Sequence, residues 1–256
     1  MIDLVDECGK DLASCGYETV ELGKYDITCS KLFIDTDGKA KKYGFDKGHY
    51  YILNAPLILG LPDEHFKLLK GEIKERLKVV FKENKVKKDS RLLFVGIGNP
   101  DVVCDSFGTE VISKIDIKPF EKDNKIFKIS PNTFSNTGIN AYEITRLLVE
   151  AFDISVVVLF DSLATTNLHR LGTSIQFNDA GLTPGSALNK FGMPINKESL
   201  NVPCISVGVP FMISAGDISK NCSKDLILAE KDVGEKVDYF SSLVAEVFNE
   251  MLWFDF

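Results

Sequence analysis

Two uninterrupted apolar runs decide the fold: Leu92-Leu93-Phe94-Val95-Gly96-Ile97 and Ser155-Val156-Val157-Val158-Leu159-Phe160. Each has the length of a strand, and neither alternates with polar residues, which is typical of strands that are buried on both faces. Further strands are predicted at residues 173–177 and 203–208. Because predicted helices separate these strands, we expect an α/β fold, with a mostly parallel or mixed sheet flanked by helices.

The elements around these strands follow from the spacing of apolar residues. Asp63 is predicted to begin a helix that runs to about Val86, because apolar side chains recur there at helical spacing. Further helices are expected over residues 107–115, from Asn136 or Thr137 to about residue 151, and over 231–252. Residues 17–54 instead favour a small β-rich region, with strands at 20–22, 25–29, 31–34 and 49–53 and a turn at Asp35-Thr36-Asp37-Gly38.

Length and composition limit the classes of protein that are possible. The chain has 256 residues, of which 45% are hydrophobic and 26% charged, as in an ordinary globular protein. We expect a single domain over 1–256, with a β-rich N-terminal region at 1–60 and an α/β core at 90–256. No run approaches the ~20 apolar residues of a membrane span. The net charge of −7 disfavours nucleic acid as a partner.

The sequence also predicts a cytoplasmic protein without a bound cofactor or metal. The first residues have neither the cationic nor the apolar part of a signal peptide, and the six cysteines show no CxxC pair, so we expect reduced thiols. Gly96-Ile97-Gly98 lacks the third glycine of a dinucleotide-binding turn, and the chain has no P-loop. The three histidines do not group at metal-ligand spacing.

Two aspartates follow the two apolar strands. Asp105 lies in the turn after the first strand, and Asp161 stands immediately beyond Phe160. If the strands are neighbours, both acids face one crevice at the carboxyl ends of the strands, where α/β sheets bind ligands. The alternative is that each is a helix N-cap. Cys104 as a nucleophile, with His49 or His169 as its base, is a weaker alternative, because an acidic neighbour raises the pKa of a thiol.

A loop at 178–186 is the third polar stretch, and its small and turn-forming residues indicate a constrained conformation. Such loops often carry function, although a plain surface turn fits equally well. Together with the Gly98–Asn99 turn, this loop is a candidate source of hydrogen-bond donors to a substrate. The candidate supporting residues are therefore Gly98, Asn99, Asp179, Gly181, Gly185 and Ser186.

The same segments, taken in order, resemble the germination protease family, the endopeptidases that degrade small acid-soluble spore proteins. The family's Gly-x-Gly-Asn and Pro-Asp-Ala-Leu-Gly motifs are similar to residues 96–99 and 104–108, and its Ile-Asp-Ala-Leu-Ala-Ala to residues 160–165. Its Ile-Gln-Ile-x-Asp-Thr-Gly-Ile-His-Pro-Gly-Ser loop is similar to residues 175–186, and its Ile-Pro-Val-Ile-Ala-Ile-Gly-Val-Pro strand to residues 202–210.

The resemblance implies a phosphorylase/hydrolase-like α/β fold, shared with hydrogenase maturation endopeptidases. It implies an aspartic-type endopeptidase with Asp105 and Asp161 as the catalytic pair, in the cytoplasm, or in the spore core if the host forms spores. Small acid-soluble spore proteins, or similar unfolded small proteins, are the implied substrates, and a homo-oligomer is a further implied state.

Three differences from the family keep other functions open. Thr183 stands where the family has a histidine, the stretch before the last helix is shorter, and Ile2-Asp3-Leu4 resembles the start of a mature enzyme without a propeptide. One alternative is a non-proteolytic binding or regulatory homologue. Another is a metal-dependent peptidase of the maturation type, in which the same two acids are metal ligands.

Overall fold

The computed structural model describes residues 3–23, 25–56, 63–117, 125–185 and 192–252. Within these ranges the strands form one nine-stranded sheet. The strands are β1 (Glu18–Glu21), β2 (Thr28–Ile34), β3 (Gly48–Asn54), β4 (Leu92–Gly96), β5 (Ile126–Ile129), β6 (Val156–Thr165), β7 (Ser174–Asn178), β8 (Cys204–Ser214) and β9 (Ile227–Leu228). The helices are α1 (Asp37–Tyr43), α2 (Asp63–Glu83), α3 (Phe107–Lys114), α4 (Phe134–Thr137), α5 (Ala141–Phe152), α6 (Lys197–Leu200), α7 (Ala215–Ile218) and α8 (Val233–Glu250).

The sheet is mixed, with a parallel and an antiparallel part. Its order is β1-β2-β3-β7-β8-β6-β4-β5, with β9 paired to β8. Strands β5, β4, β6 and β8 run parallel to one another, whereas β7, β3, β2 and β1 continue the sheet as antiparallel strands. The predicted α/β fold with a mostly parallel or mixed sheet is confirmed. The N-terminal strands belong to this same sheet, because β3 pairs directly with β7.

Helices cover both faces of the sheet, and alternate residues of each strand point to opposite faces. Helices α2, α3 and α8 pack on the first face, against side chains such as Phe94, Phe160 and Phe177. On the second face, α5 packs over Leu93, Val157 and Leu159, and α1 packs through Tyr43 over the antiparallel strands. In the described part of the chain, no helix combines the length and the apolar character that a bilayer span requires.

The structure corrects several predicted elements. Residues 35–38 do not form a plain turn: Thr36 accepts a hydrogen bond from the Lys39 N–H and caps α1. The helix expected from Asn136 or Thr137 begins at Ala141, because Gly138 adopts a left-handed conformation that ends the short α4, and Asn140 caps α5. The edge strand β5 was not predicted; it is four residues long and only half-buried.

Candidate active site

Asp161 lies inside β6, not beyond its end as the apolar run suggested. The strand continues to Thr165 because it keeps pairing with β8, with Asp161 opposite Gly208. Asp161 therefore points to the same face of the sheet as Val157 and Leu159, and only 8% of its surface is exposed. The alternative role of Asp161 as a helix N-cap is thereby excluded.

Asp105 ends a single 3₁₀ turn, Val103–Asp105, between β4 and α3. Its Oδ2 accepts a hydrogen bond from the backbone N–H of Asn99, over 2.9 Å. Gly98 makes this contact possible: its φ is +119°, and a Cβ there would lie 1.9 Å from the Asp105 carbonyl oxygen. Gly98 and Asn99 thus hold Asp105 in place. Because the Asn99 N–H is already engaged by Asp105, it is not a spare donor for substrate.

Hydrogen bonds connect the segments on either side of the Asp105 turn to β6, next to Asp161. The Ile97 N–H donates to the Phe160 carbonyl oxygen over 2.8 Å, and the Phe107 N–H donates to the Ser162 Oγ over 3.3 Å. The two acids are near enough to interact. Burial raises the pKa of Asp161 well above its usual range, and the negative charges of Asp105 and then Asp3 raise it further.

Asp3 is a third carboxylate near Asp161, and no pattern in the sequence predicted it there. Its Oδ2 accepts a hydrogen bond from the Ala164 N–H over 2.8 Å, and its own N–H donates to the Ala164 carbonyl oxygen over 3.3 Å. The Gln176 side-chain amide also donates to the Asp3 carbonyl oxygen. These contacts lay the N-terminal segment along β6. No local pattern in the sequence signals a contact across 161 residues.

Asp3 and Asp161 line a cavity of about 310 Å³ on the second face of the sheet, at the junction of its parallel and antiparallel parts, and Asp105 is not among the described residues that line it. Asp3, Asp46 and Asp161 contribute carboxylates, and no lysine, arginine or histidine is among the described residues that line it. The other lining residues are Gly44, Phe45, Tyr50, Leu163, Gln176, Asn178, Gly181, Leu182, Thr183, Ser206, Val207 and Gly208. The carboxyl groups are therefore not offset by a basic side chain among the described lining residues.

The predicted loop contributes to this cavity only in part. Gly181 and Thr183 line it, and Gly185 follows in a half-buried position with positive φ. Asp179 points away from it and contacts His49 and Asn84. Ser186 lies outside the described residues.

The residues proposed for a cysteine nucleophile are not assembled into a site. Burial, and then the neighbouring Asp105 charge, raise the pKa of Cys104, which disfavours the reactive thiolate. His49 contacts Glu83 and Asp179, and His169 lies exposed in the turn Leu168–Arg170.

Comparison with known proteins gives consistent matches. Residues 9–248 match the family described as Germination protease. The chain is 30% identical to a germination protease of Caldanaerobacter subterraneus over 88% of this chain and 72% of that protein. It is 29% identical to one of Clostridium perfringens over 80% of this chain and 65% of that protein.

A third relative, the germination protease of Clostridium acetobutylicum, is 25% identical over 86% of this chain and 71% of that protein. Among solved structures, the NiFe hydrogenase maturation protease HycI from Thermococcus kodakarensis aligns with a TM-score of 0.38 and 19% identity. That alignment covers 62% of this chain and 92% of HycI. The sequence matches confirm the resemblance found in the motifs: the chain belongs to the germination protease family of endopeptidases, which are hydrolases.

Proposed function

We propose that this protein is an aspartic-type endopeptidase in which Asp105 and Asp161 act together on a water molecule and the scissile peptide. One observation carries the proposal. Asp161 is buried in the wall of the cavity, and its pKa is raised by that burial and by Asp105. A carboxyl group whose pKa is raised, beside a second carboxyl group, is an arrangement that suits general acid–base peptide hydrolysis.

The roles of the two acids follow from their surroundings. Asp161 is the proton donor, because burial disfavours its charged form. Asp105 is the base, and the Asn99 N–H orients its carboxylate. Because interacting carboxyl groups titrate as a pair, this assignment describes the state that begins the reaction.

In the first step, the water oxygen attacks the carbonyl carbon of the peptide. Asp105 takes a proton from the water, and Asp161 gives its proton to the carbonyl oxygen, which forms a tetrahedral diol. In the second step, Asp105 returns its proton to the leaving nitrogen as the C–N bond breaks. One hydroxyl of the diol then reprotonates Asp161, so the pair regains its starting state.

The proposed substrates are small acid-soluble spore proteins or similar unfolded small proteins. The name of the matched family and the ordered motifs support this class. The cavity supports it as well, because a space of about 310 Å³ next to a nearly buried carboxyl group accepts side chains of an extended segment and not a folded domain. We propose a cytoplasmic enzyme, acting in the spore core if the host sporulates. A single domain over 1–256 and a homo-oligomer are part of the same proposal.

The test is cleavage of a purified small acid-soluble spore protein by the wild type, Asp105→Asn and Asp161→Asn. Asp101→Asn is the matched control, because Asp101 is exposed on the same turn. We expect cleavage by the wild type and the control, and loss of cleavage in both dyad variants. Cleavage that persists in either dyad variant would refute the pair. A folded wild type that cleaves nothing across the pH range would favour a non-proteolytic homologue.

The same cleavage assay in the presence of a chelator distinguishes the proposed mechanism from the metal-dependent alternative. The proposed mechanism predicts that chemistry at Asp105 and Asp161 continues in chelator. Activity that is lost in chelator and restored by added metal, in the wild type and in a His49→Ala variant alike, would make the two aspartates metal ligands instead.

A further inference from the structure

A second cluster of chemically active side chains lies on the first face of the sheet, away from the cavity. His49 lies in β3, Glu83 is the last residue of α2, and Asp179 directly follows β7. One ligand atom from each lies within 4.8 Å of the others. His49 Nδ1 is 3.2 Å from Asp179 Oδ2 and 3.6 Å from Glu83 Oε2. We call these three residues the His49 cluster.

The distances fit the coordination sphere of a small divalent cation. Zinc binds imidazole nitrogen and carboxylate oxygen at about 2.0–2.2 Å, so two ligands of a tetrahedral site stand about 3.4 Å apart. The two separations from His49 Nδ1 lie on either side of that value. As the tautomer with its proton on Nε2, His49 presents the Nδ1 lone pair towards both carboxylates.

Neighbouring groups hold the ligands in this orientation. The His49 backbone N–H donates to Asp179 Oδ1 over 2.6 Å, which leaves Oδ2 directed at the imidazole. Gly48 allows this approach, because a Cβ there would lie 2.6 Å from the same Oδ1. The Asn84 amide donates to Asp179 Oδ2, and the Phe33 ring stacks on the imidazole at 4.1 Å. Such outer contacts fix the ligands of known metal sites.

The local electrostatics favour a cation. Glu83 stands at the C-terminal end of a 21-residue helix, where the helix dipole adds negative potential to its own charge. Tyr51, which shares this face of β3, has its pKa raised by burial and then by the charges of Glu83 and Asp179. Two carboxylates and a helix end thus meet around one imidazole.

We propose that the His49 cluster binds one divalent cation, with zinc preferred, through His49 Nδ1, Glu83 Oε2 and Asp179 Oδ2. Zinc suits a set of one imidazole and two carboxylates, and water completes the coordination. The cation joins α2, β3 and the residue after β7, and thereby anchors the loop whose Gly181 and Thr183 line the cavity. The site is structural and separate from Asp105 and Asp161.

The test is zinc binding to the metal-free full chain, measured by calorimetry and by elemental analysis after dialysis. We expect one equivalent of zinc in the wild type and a higher Tm on its addition. Single His49→Ala and Asp179→Asn variants should each bind at least about tenfold more weakly. His169→Ala and Glu75→Gln are the matched controls, because both residues are exposed and lie outside the cluster; they should bind as the wild type does.

A second probe separates this site from the free cysteines, which also bind zinc. Cobalt bound by thiolates gives intense near-ultraviolet absorption, whereas a site of nitrogen and oxygen ligands gives only weak visible bands. The proposal predicts weak bands that disappear in Glu83→Gln, a substitution at a half-exposed side chain that leaves the fold intact by circular dichroism. No stoichiometric zinc in the wild type, thiolate-type cobalt spectra, or unchanged binding in folded His49→Ala would each overturn the proposal.

Discussion

Carboxylates meet at two places in this molecule, on opposite faces of one sheet, with opposite consequences. Asp3, Asp105 and Asp161, the Asp161 cluster, surround a buried position, and no cationic side chain is among the described residues that line the adjoining cavity. There, burial and like charges oppose the ionisation of Asp161 and raise its pKa. In the His49 cluster, the exposed carboxylate of Glu83 and the largely buried carboxylate of Asp179 stand beside an imidazole and the end of a helix. The first arrangement favours a proton and the second a metal cation.

The largest expected effect is on the rate of peptide cleavage, and it distinguishes a substitution in the Asp161 cluster from one in the His49 cluster. The two substitutions should also change the free energy of unfolding in opposite directions. Asp161→Asn should lower the rate of peptide cleavage by about 10²–10⁴-fold, the usual contribution of a positioned general acid. The same substitution should raise the free energy of unfolding at neutral pH, since it removes a group whose ionisation the fold opposes. Asp179→Asn should instead lower that free energy by about 1 kcal/mol, because Asp179 accepts hydrogen bonds from His49 and Asn84.

The effect of Asp161 on the free energy of unfolding depends on pH. A carboxyl group with a raised folded-state pKa binds its proton more tightly in the folded than in the unfolded state. Its contribution to stability is therefore present at low pH and is lost as pH rises through the raised pKa. Urea unfolding of the wild type and Asp161→Asn over a pH series measures this. Parallel stability curves for the two proteins would contradict it.

The next effect concerns the turn that holds Asp105. Gly98→Ala should reduce activity by about two orders of magnitude, because a Cβ at Gly98 would collide with the Asp105 carbonyl oxygen and move the base. Gly71→Ala is the control, since a Cβ at that helical position meets no atom within 4 Å. Full activity in Gly98→Ala would mean that the position of Asp105 does not matter to the reaction.

A smaller effect, on zinc affinity, is expected from a substitution at Asn84, which contacts a residue of the His49 cluster. Asn84→Ala should weaken zinc binding by about tenfold while leaving peptide cleavage by the dyad unchanged, because Asn84 contacts Asp179 and not the cavity. Calorimetric titration with zinc measures the first part and a cleavage assay the second. Equal affinities in the wild type and Asn84→Ala would show that the amide does not orient the ligand.

The smallest effect, a shift of the pH–activity profile, is expected from a substitution at Asp3. Asp3→Asn keeps an oxygen for the Ala164 N–H but removes a negative charge near Asp161, so the pKa of Asp161 should fall. The alkaline limb of the pH–activity profile then moves to lower pH by a fraction of a unit. Asp46→Asn, in the same cavity, should move it less, because Asp46 is not among the charges that raise this pKa. Equal shifts would remove the special role of Asp3.

The sequence predicted the parallel part of the sheet well, for a clear physical reason. β4 and β6 are covered on both faces, so their apolar residues run without interruption. The end of the apolar run predicted the end of β6 too early. Asp161 interrupts the run, while the strand continues to pair with β8. Helix α1 was missed because it contains turn-forming residues and buries only Tyr43.

Local patterns could not reveal which acids meet. The pairing of Asp105 with Asp161 was predicted on the condition that β4 and β6 are neighbours and was favoured by the resemblance, whereas sequence spacing alone fitted helix caps as well. The contact of Asp3 with β6 and the meeting of His49, Glu83 and Asp179 join residues that are far apart in the chain. Such contacts depend on the order of the strands, which no single segment encodes.

The central claim is that Asp161 holds its proton because it is buried beside Asp105. The most direct measurement is an NMR titration of the aspartate carboxyl carbons in the wild type and Asp105→Asn, with Asp161→Asn used to assign the signal. We predict that Asp161 titrates well above the usual aspartate range and that its pKa falls in Asp105→Asn but stays raised by burial. An Asp161 that titrates in the ordinary range, with no response to Asp105→Asn, would contradict the account.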